Sequence, residues 1–426
     1  MKQLSVLIIG SGGREHALGW KLRSSPRVGK LYFAPGNGGT AKLGENIDIR
    51  VEQIEELARF AKKGRIDLTV VGPEAPLVNG IVDLFQKRGL TIFGPNRRAS
   101  QLEGSKAWAA NFIKKWNIPH PESFIFNNAD KAKKFVKESK WSGMVVKADA
   151  LAQGKGVIVC VSKAEAEYAI DEIMVKKTFG DAGNRIVIQE KLTGEEVSVL
   201  ALCDGKNIVP LLPSQDHKRI YDDDKGANTG GMGAYAPVPF VSPKLQREIT
   251  KTILKPTIAG LKKEGIEYKG VLYAGLMLTK EGPKVLEYNV RMGDPETQPL
   301  MMLLKSDLLP IINSCITGTL KKSQVRFKQG YSVCVVLAAD GYPSSYEKGQ
   351  EIHADNNYSN NNPFVFHAGT TQKGNTILTS GGRVLGVTSY APTLKNAIKK
   401  AYDFINEKKV SFNNMQYRTD IGKKAL

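Results

Sequence analysis

The chain has 426 residues, 41% hydrophobic and 24% charged, and this ordinary globular composition argues against extended disorder and leaves room for two or three domains. Its four cysteines stand apart in hydrophobic runs with no CxxC pair, which disfavours a disulfide framework or a zinc site and favours buried thiols in a reducing compartment. A net charge of +19 raises the possibility of nucleic-acid binding, but the lysines are scattered along predicted helices, so we favour attraction of small anionic substrates.

The first residues lead directly into a predicted strand and a glycine loop. No charged leader with a cleavage site is found there, and no apolar run approaches the roughly 18 residues of a membrane span. We therefore expect a cytoplasmic protein, with a monomer as the simplest assembly, and with neither a membrane nor a nucleic acid as a partner.

Residues 1–103 alternate short buried strands with helices. The predicted strands are residues 4–9, 30–34, 66–71 and 91–93. Three helices are predicted: one that opens at a glycine-rich turn at residues 10–16 and ends at about Ser24, one near residues 52–63 and one near residues 78–88. This order predicts a doubly wound parallel sheet, in which ligands bind beyond the carboxyl ends of the strands.

The glycine-rich turn after the first strand has the sequence GSGGRE at residues 10–15. Dinucleotide binding is disfavoured because the pattern is G-x-G-x-x-E and no acidic residue ends the second strand to hold a ribose. The alternative is that backbone N–H groups and the helix N-terminus bind a phosphate or carboxylate of another substrate. Two more glycine–proline turns, at residues 35–39 and 72–76, are ordinary turn chemistry individually, but together they predict a substrate rim at one sheet edge.

Glycine and proline interrupt this alternation of strands and helices at residues 94–96 and 101–106, where a linker or a site could precede a helix at residues 107–116.

A later predicted strand carries Lys147 among apolar residues, and a buried ammonium group needs an anionic partner. The loop that follows contains Gly154-Lys155-Gly156, a flexible cationic turn that suits a lid over a triphosphate but is weak evidence by itself.

A predicted strand at residues 186–189 leads into an acidic turn at residues 190–196. Such a crossing from strand to loop can bind a nucleotide, with backbone groups for adenine and carboxylates for the ribose hydroxyl groups. Exposed glutamates in an ordinary turn would look the same, so both interpretations stay open here.

Residues 270–299 form a predicted hydrophobic hairpin that delivers polar side chains to one place. Its second strand should alternate, with one set of residues on each face: Leu286, Tyr288 and Val290 on one, and Glu287, Asn289 and Arg291 on the other. A solvated outer face is the ordinary explanation. However, the first strand is apolar on both faces, and an unpaired carboxylate beside it is costly. A carboxylate and an amide oxygen two residues apart can instead bind Mg²⁺ that carries nucleotide phosphates, while the arginine holds a phosphate.

The order of five sequence runs is specific as a series: EGSK, VVKADALAQGKGV, VIQEKLTGEEVSV, SQDHKRIYDDDKGANTGGMGAY and LEYNVRMGDPETQ. In this series the chain resembles the ATP-grasp superfamily and, within it, the glycinamide ribonucleotide synthetase family. The resemblance extends over essentially the whole chain, from GSGGREHAL, VGPEAPLV and GPN to the C-terminal HAGT, TSGGRVLGVT and RTDIG.

This resemblance implies a multidomain α/β and α+β fold. The expected parts are an N-terminal doubly wound domain at residues 1–103, a central ATP-grasp domain at residues 104–325 with a mobile lid at about residues 120–192, and a C-terminal β-rich domain at residues 326–426. The pattern of the last part agrees, with short strands predicted at residues 365–367 and 383–388 before one helix at residues 393–405.

The resemblance also implies a role for individual residues. ATP phosphates are assigned to Lys106, Lys147 and the loop of Gly154, Lys155 and Gly156, and adenosine is assigned to Glu190, Leu192 and Glu196. The metal ion, Mg²⁺ or Mn²⁺, is assigned to Glu287 and Asn289. Glycine and the ribosylamine are assigned to Gly12, Gly13, Arg14, Asp216, His217, Lys218, Asp294 and Glu296, and the expected catalytic residues are Lys147, Arg291 and Asp294. His217 suits a structural hydrogen bond as well as proton transfer.

The chain departs from the pattern of its relatives at three positions. Many ATP-grasp enzymes place a further acid on the first strand of the hairpin, where this chain has Gly275, so ATP oxygens and water should complete the metal site. Ala150 and Gln153 replace the usual residues of the cationic loop and should stiffen it slightly.

The implied reaction joins glycine to 5-phosphoribosylamine and converts ATP to ADP and phosphate, giving glycinamide ribonucleotide in the second step of purine biosynthesis. Because a carboxylate is a poor electrophile, the γ-phosphoryl group first activates it as glycyl phosphate, which the amine then attacks. Positioning, charge neutralisation and exclusion of water supply the catalysis.

Two other functional classes compete with this one. Another ATP-grasp carboxylate–amine ligase, or a carboxylase of the purine or biotin type, would keep the nucleotide residues but should lack the runs SQDHKR, NTGGMGAY and GDPETQP. A basic nucleic-acid-binding protein would explain the net charge but not the order of the motifs.

Overall fold

The computed structural model describes residues 3–151, 156–354 and 362–426. Its N-terminal part consists of β1 (Leu4–Gly10), α1 (Gly13–Arg23), β2 (Val28–Pro35), β3 (Glu45–Asn46), α2 (Ile54–Lys63), β4 (Leu68–Val71), α3 (Glu74–Val78), α4 (Ile81–Lys87), β5 (Ile92–Phe93) and α5 (Gln101–Gly104). The strands pair in parallel in the order β3-β2-β1-β4-β5, so the doubly wound sheet predicted from the sequence is confirmed.

The helix predicted near residues 78–88 is present as α4, but it begins only at Ile81 and is preceded by a separate short helix, α3. Gly80 separates the two helices because it has φ +88°, in the left-handed region where a helix cannot continue. The three glycine-containing turns do share one sheet edge: Gly36 N donates to Gly10 O at 3.2 Å, and Gly72 N donates to Ile9 O at 3.0 Å.

The next part is a small antiparallel sheet covered by helices. It contains α6 (Lys106–Lys115), β6 (Ser123–Phe126), α7 (Ala129–Glu138), β7 (Met144–Ala148), β8 (Val157–Cys160), α8 (Lys163–Ile170) and β9 (Ile186–Glu190), with strand order β6-β9-β7-β8. The side chains of Asn128 and Ser162 cap α7 and α8 by accepting from the backbone of Lys131 and Glu165. This unit has its own apolar core.

The central part carries the predicted hairpin. Its elements are β10 (Glu195–Asp204), β11 (Ile208–Pro210), β12 (Gln215–Asp216), β13 (Arg219–Tyr221), β14 (Lys225–Asn228), β15 (Gly233–Ala236), α9 (Pro243–Ile249), α10 (Lys255–Lys263), β16 (Lys269–Thr279), β17 (Gly282–Asn289), α11 (Thr297–Leu303) and α12 (Leu308–Thr317). The order β11-β10-β16-β17 places β16 inside the sheet, as its apolar sequence predicts.

The C-terminal part is built on a second antiparallel sheet. It contains β18 (Tyr331–Ala339), β19 (His353–Ala354), β20 (Phe364–His367), β21 (Thr370–Lys373), β22 (Thr376–Thr379), β23 (Arg383–Ala391), α13 (Leu394–Asn406), β24 (Val410–Ser411) and β25 (Met415–Gln416). The sheet order is β12-β15-β18-β23-β20, so β12 and β15 join this sheet rather than the hairpin sheet, while β13 and β14 between them pair with each other. The two sheets therefore meet at the segment that carries the SQDHKR and NTGGMGAY runs. Among the described residues, no helix has the length and apolar character needed to cross a membrane.

Candidate active site

The hairpin of β16 and β17 brings Glu287 and Asn289 to one side of the sheet. A β-bulge between Gly275 and Leu276 breaks the expected alternation, because Glu287 pairs with Gly275 while Val285, two residues earlier, pairs with Leu276. Val285, Tyr288 and Val290 consequently enter the apolar core. The prediction that Leu286 shares their face is wrong, since Leu286 is the extra residue of the bulge and is only half-buried.

Glu287 lies among ammonium groups. Lys218 Nζ is 3.7 Å from its Oε1 atom and 2.9 Å from Oε2 of Glu196. Burial would raise the pKa of Glu287, but the charges of Lys218, Lys147 and Lys106 hold it below its usual value. The Glu287 side chain keeps 34% of its surface exposed, so it remains open to a ligand.

Lys147 lies on β7 and reaches across to the hairpin, where its Nζ donates to the Leu286 carbonyl at 2.8 Å. Burial lowers the pKa of Lys147 to about 8, although Glu287 raises it. The anionic neighbour that its apolar strand implied is therefore Glu287, and the Leu286 carbonyl at the bulge accepts its hydrogen bond. The structure thus brings Lys147, Lys218, Glu287 and Asn289 into one place.

The oxygens of Glu287 and Asn289 fit a hard cation that brings further ligands with it. Among the described residues, no group of three or more His, Cys, Asp or Glu side chains could hold a metal ion. Opposite Glu287, a Cβ atom at Gly275 would lie 3.2 Å from the Glu287 Cγ atom, so a further acid there would crowd this carboxylate. A site with two protein oxygens suits Mg²⁺ bound mainly through phosphates and water.

Arg291 is held by two acids that the sequence interpretation did not pair with it. Its Nη2 atom lies 2.7 Å from Oε1 of Glu103, and its Nε atom lies 3.2 Å from Oε2 of Glu74. It also donates to Asn289 Oδ1 at 3.0 Å and to the Met292 carbonyl at 3.3 Å. The guanidinium group therefore orients the predicted metal ligand Asn289, while its contact with phosphate stays a prediction.

Glu103 and Glu74 come from different parts of the chain, yet both face Arg291. Burial raises the pKa of Glu103 to about 7, with Arg291 opposing the shift. Burial would also raise the pKa of Glu74, but Arg291 and Arg14 hold it below its usual value. Glu103 also accepts from Val290 N at 2.8 Å, so it fixes the end of β17 as well as the arginine.

The predicted nucleotide residues lie around β7, β9 and β10. Lys106 Nζ donates to the Ala150 carbonyl at 3.1 Å, beside the start of α6, where Asp149 accepts from Ala107 N at 3.0 Å. Gly156 O accepts from Ala148 N at 2.8 Å, whereas the predicted Gly154 and Lys155 lie outside the described residues. The other three predicted nucleotide residues follow along the chain: Glu190 at the end of β9, Leu192 in the turn, and Glu196 on β10.

The first glycine turn is closed by its own glutamate. Glu15 accepts from Gly12 N at 2.6 Å and pairs with Arg14 Nε at 2.6 Å, so the predicted donors Gly12 and Arg14 have internal partners. Arg14 also donates to the Met292 carbonyl at 3.0 Å, and its backbone N lies 3.5 Å from Asp294 Oδ2. Gly13 is close-packed, since a Cβ atom there would lie 2.5 Å from Gln298 Nε2.

Arg383, on β23 of the C-terminal sheet, is a site residue that the sequence interpretation missed. Its guanidinium group donates to the backbone carbonyls of Gly230, of Gly231 at 3.2 Å and of Asp294 at 2.7 Å. It also pairs with the Asp294 carboxylate at 3.5 Å. Burial would raise the pKa of Asp294, but Arg383 and Arg14 hold it low. The available signal was the run TSGGRVLGVT, which carries an arginine into an apolar strand.

The remaining predicted substrate residues form a compact acidic cluster beside Lys218. Glu296 Oε1 accepts from Tyr273 OH at 2.6 Å and from Ser198 Oγ at 3.2 Å. Two buried acceptors have no hydrogen-bond partner, Asp216 Oδ1 and Gln298 Oε1. Such orphaned acceptors are costly unless a ligand donates to them.

His217 is structural in this arrangement. Its Nδ1 atom lies 3.3 Å from the Gly233 carbonyl and its Nε2 atom accepts from Gly422 N at 3.3 Å. Burial, with Arg418 nearby, lowers the pKa of His217 to about 4. This neutral imidazole contacts the backbone through both nitrogens and thereby connects the C-terminal run RTDIG to the cluster. Contact of the His217 ring with a substrate therefore stays a prediction.

Comparison with known proteins gives a consistent family. Models of three domains of phosphoribosylglycinamide synthetase match the chain: the N domain at residues 4–103, the ATP-grasp (A) domain at residues 104–297 and the C domain at residues 332–424. The phosphoribosylamine–glycine ligase of Caldanaerobacter subterraneus is 48% identical over 98% of this chain and 99% of its own length.

Solved structures show the same similarity. The crystal structure of phosphoribosylamine–glycine ligase from Thermotoga maritima is 34% identical with a TM-score of 0.86, covering 98% of this chain and all 100% of that one. The biotin carboxylase domain of 2-oxoglutarate carboxylase from Hydrogenobacter thermophilus is 16% identical with a TM-score of 0.75, covering 98% of this chain and 92% of that one. The second similarity extends to the fold alone.

Proposed function

Because the chain belongs to the phosphoribosylglycinamide synthetase family of ATP-grasp ligases, we propose that the side chains gathered around Glu287 are those that carry out the reaction of this family. That reaction is the ATP-dependent joining of glycine to phosphoribosylamine in purine biosynthesis. The family assignment removes the carboxylase alternative left open by the sequence.

The observation that carries the site assignment is the convergence of Lys147, Lys218, Glu287 and Asn289 from two strands and a loop. Two ammonium groups and two hard oxygens at one point suit a triphosphate whose terminal phosphoryl group is to be transferred. The charge of Lys106 acts on Glu287, Gly156 O accepts from Ala148 N on β7, and Glu190 ends the neighbouring strand β9. We assign ATP to them, with Gly154, Lys155, Leu192 and Glu196 completing the predicted nucleotide contacts.

ATP-grasp enzymes use ATP with a divalent metal ion, and we assign Mg²⁺ as the physiological ion, with Mn²⁺ as a substitute. Glu287 and Asn289 would hold it, and Arg291 orients Asn289 by donating to its Oδ1 atom. When bound, such an ion neutralises charge on the phosphates and orients the terminal phosphoryl group. The glutamate needs no proton loss to bind it, because Lys218 and its neighbours already hold the pKa of Glu287 low.

Activation of glycine proceeds through glycyl phosphate in our proposal. A carboxylate oxygen of glycine attacks the γ-phosphorus and ADP leaves, which gives an acyl phosphate. The amine of phosphoribosylamine then attacks the carbonyl carbon, the C–O bond to phosphate breaks, and the amine loses one proton. Lys147 and Lys218 offset the negative charge that accumulates in the first step, and the part of the chain from β6 to β9 excludes water.

We place phosphoribosylamine against the rim formed by the first glycine turn, Asp294 and Arg383. The loop carbonyls that Arg383 holds fix the shape of this wall, and the orphaned Gln298 Oε1 beside Gly13 offers an acceptor to a ribose hydroxyl group. For the cellular setting we propose a cytoplasmic monomer, to which the buried, unbridged cysteines of the described residues are suited. Light scattering tests this assembly state, because a monomer should have the mass of a single chain.

Steady-state release of ADP tests the proposed function. With Mg²⁺ and ATP, ADP formation should require glycine and phosphoribosylamine together and should match amide formation one to one. Rapid ATP hydrolysis with neither substrate present, or ligation that proceeds equally well with other amino acids, would contradict it.

A further inference from the structure

Asp216 has a buried carboxylate oxygen without a partner. Its Oδ1 atom receives no hydrogen bond, and the backbone packs closely against it: a Cβ atom at Gly231 would lie 2.5 Å from Oδ1 and 2.6 Å from Pro295 Cδ. Gly231 has φ +107°, so this approach uses a conformation that favours glycine. A buried carboxylate oxygen without a donor is destabilising unless a ligand donates to it.

The neighbouring acids, in contrast, have donors. The described contacts pair each of them: Asp294 with Arg383 and Gln298, Glu296 with Tyr273 and Ser198, Glu287 and Glu196 with Lys218, and Glu15 with Arg14. Within this part of the described chain, Asp216 is therefore the acid with a buried oxygen left to accept a hydrogen bond.

We propose that Asp216 binds the ammonium group of glycine. This inference rests on the proposed function and assigns one residue to one group of one substrate. Lys218 follows two residues later, and its Nζ atom faces Glu287 at 3.7 Å. A molecule as short as glycine can place its ammonium group on Asp216 while its carboxylate faces Lys218 and the γ-phosphoryl group.

Charge distribution supports glycine over the ribosylamine as the partner of Asp216. Burial and the nearby Glu296 raise the pKa of Asp216 well above its usual value, and Lys218, Arg383 and a backbone hydrogen bond from His217 oppose this shift. A bound ammonium ion would supply the missing donor and favour the ionised carboxylate. The amine of phosphoribosylamine must be neutral to attack, and a carboxylate that held it as an ammonium ion would suppress the reaction.

The decisive variant is Asp216→Asn, which keeps the shape of the side chain and removes its charge. We expect the KM for glycine to rise by at least about 20-fold, because a hydrogen bond between charged groups is lost, while the KM values for ATP and phosphoribosylamine stay within about twofold. Asp223→Asn is the matched control, because Asp223 is exposed, with 76% of its side chain accessible, and has φ +58°, which asparagine tolerates. It should leave every KM unchanged.

Two further readouts separate recognition from a structural role. Glycolate carries a hydroxyl group in place of the ammonium group, and the preference of the enzyme for glycine over glycolate should fall at least tenfold in Asp216→Asn. Without substrates, this variant should unfold at an equal or higher temperature than the parent, because the buried oxygen that lacks a donor no longer belongs to a charged group. If Asp216→Asn does not fold, Asp216→Ser takes its place with the same expected results.

The outcomes distinguish this inference from the function beneath it. If the parent enzyme ligates glycine, but Asp216→Asn has an unchanged KM for glycine or an unchanged preference over glycolate, the inference is wrong and the proposed function stands. A rise in the KM for phosphoribosylamine alone would also overturn it. If the parent enzyme does not ligate glycine, both are overturned.

Discussion

Replacement of Glu287 by glutamine should separate the chemistry of the site from the stability of the fold. The variant keeps the volume of the side chain but removes the carboxylate that faces Lys218 at 3.7 Å and Lys147 from β7. Because about a third of both the Glu287 and Lys218 side chains is exposed, at 34% and 35%, their ion pair is screened and contributes at most about 1 kcal/mol to the free energy of unfolding. The fold should therefore survive.

Turnover should not survive this change. Removal of a charged ligand from a phosphate-bound metal ion costs about 4 kcal/mol in the transition state, which corresponds to a rate loss of about a thousandfold. Tyr288→Phe, on the opposite face of β17, is the matched control: it loses a hydrogen bond to Thr257 Oγ1 of 2.5 Å, which costs about 1 kcal/mol of stability, and should keep most of the activity.

The assay is ADP release at saturating substrates, with thermal unfolding measured in parallel. A Glu287→Gln variant with near-parental kcat and an intact fold would refute the assignment of the metal site to this face of the hairpin. Equal losses of activity in Glu287→Gln and Tyr288→Phe would show instead that the hairpin responds as a whole and that the two faces have no separate roles.

Three other predictions follow from contacts around the site. Arg291→Lys keeps the charge, but an ammonium group cannot bind Glu74, Glu103 and Asn289 at once. The kcat should fall at least about tenfold and the free energy of unfolding by about 2 kcal/mol. An unchanged denaturant midpoint would argue against this prediction. Arg383→Lys should raise the KM for phosphoribosylamine about tenfold and leave that for ATP unchanged, since its fork holds the loop carbonyls and Asp294; initial-rate kinetics decide this. Burial, and to a lesser extent Lys42, lowers the pKa of His367 from 6.5 to about 4. As the pH falls, His367 therefore takes up a proton in the unfolded chain before it does so in the folded protein. The free energy of unfolding should be full above about pH 6.5 and fall by up to about 3 kcal/mol towards pH 4. Denaturation of His367→Asn should show a shallower loss over this range, and parallel pH profiles of the two proteins would contradict the prediction.

Local sequence patterns predicted the elements well where burial follows a regular period. The parallel sheet at the N-terminus and the apolar strand β16 both appear as expected, because continuous apolar runs leave few alternatives to a central strand. The bulge beside Leu286 was not foreseen, since one extra residue in a strand leaves no mark in the alternation until its partner strand is known. Gly80, the N-cap of α4, was a visible signal that this helix begins later than its apolar period predicted.

Long-range partners account for most of what the sequence could not predict at the site. Arg291 was predicted to face the site, but its attachment to Glu74 and Glu103 depends on contacts across 217 and 188 residues, which no local pattern records. Arg383 belongs to a strand of the C-terminal sheet, and β12 and β15 join that sheet rather than the hairpin sheet that precedes it in the central part. The family resemblance assigned Asp216 and Asp294 to the site, but only the structure shows that Asp294 pairs with Arg383 whereas a buried oxygen of Asp216 has no donor.

Transfer of isotope from glycine to phosphate tests the central claim most directly. With both carboxylate oxygens of glycine labelled with ¹⁸O, activation through glycyl phosphate requires one labelled oxygen to leave in inorganic phosphate and the other to remain in the amide product. Mass spectrometry of the phosphate from a single turnover should show one ¹⁸O atom for each amide formed. Unlabelled phosphate, formed together with amide product, would contradict the account.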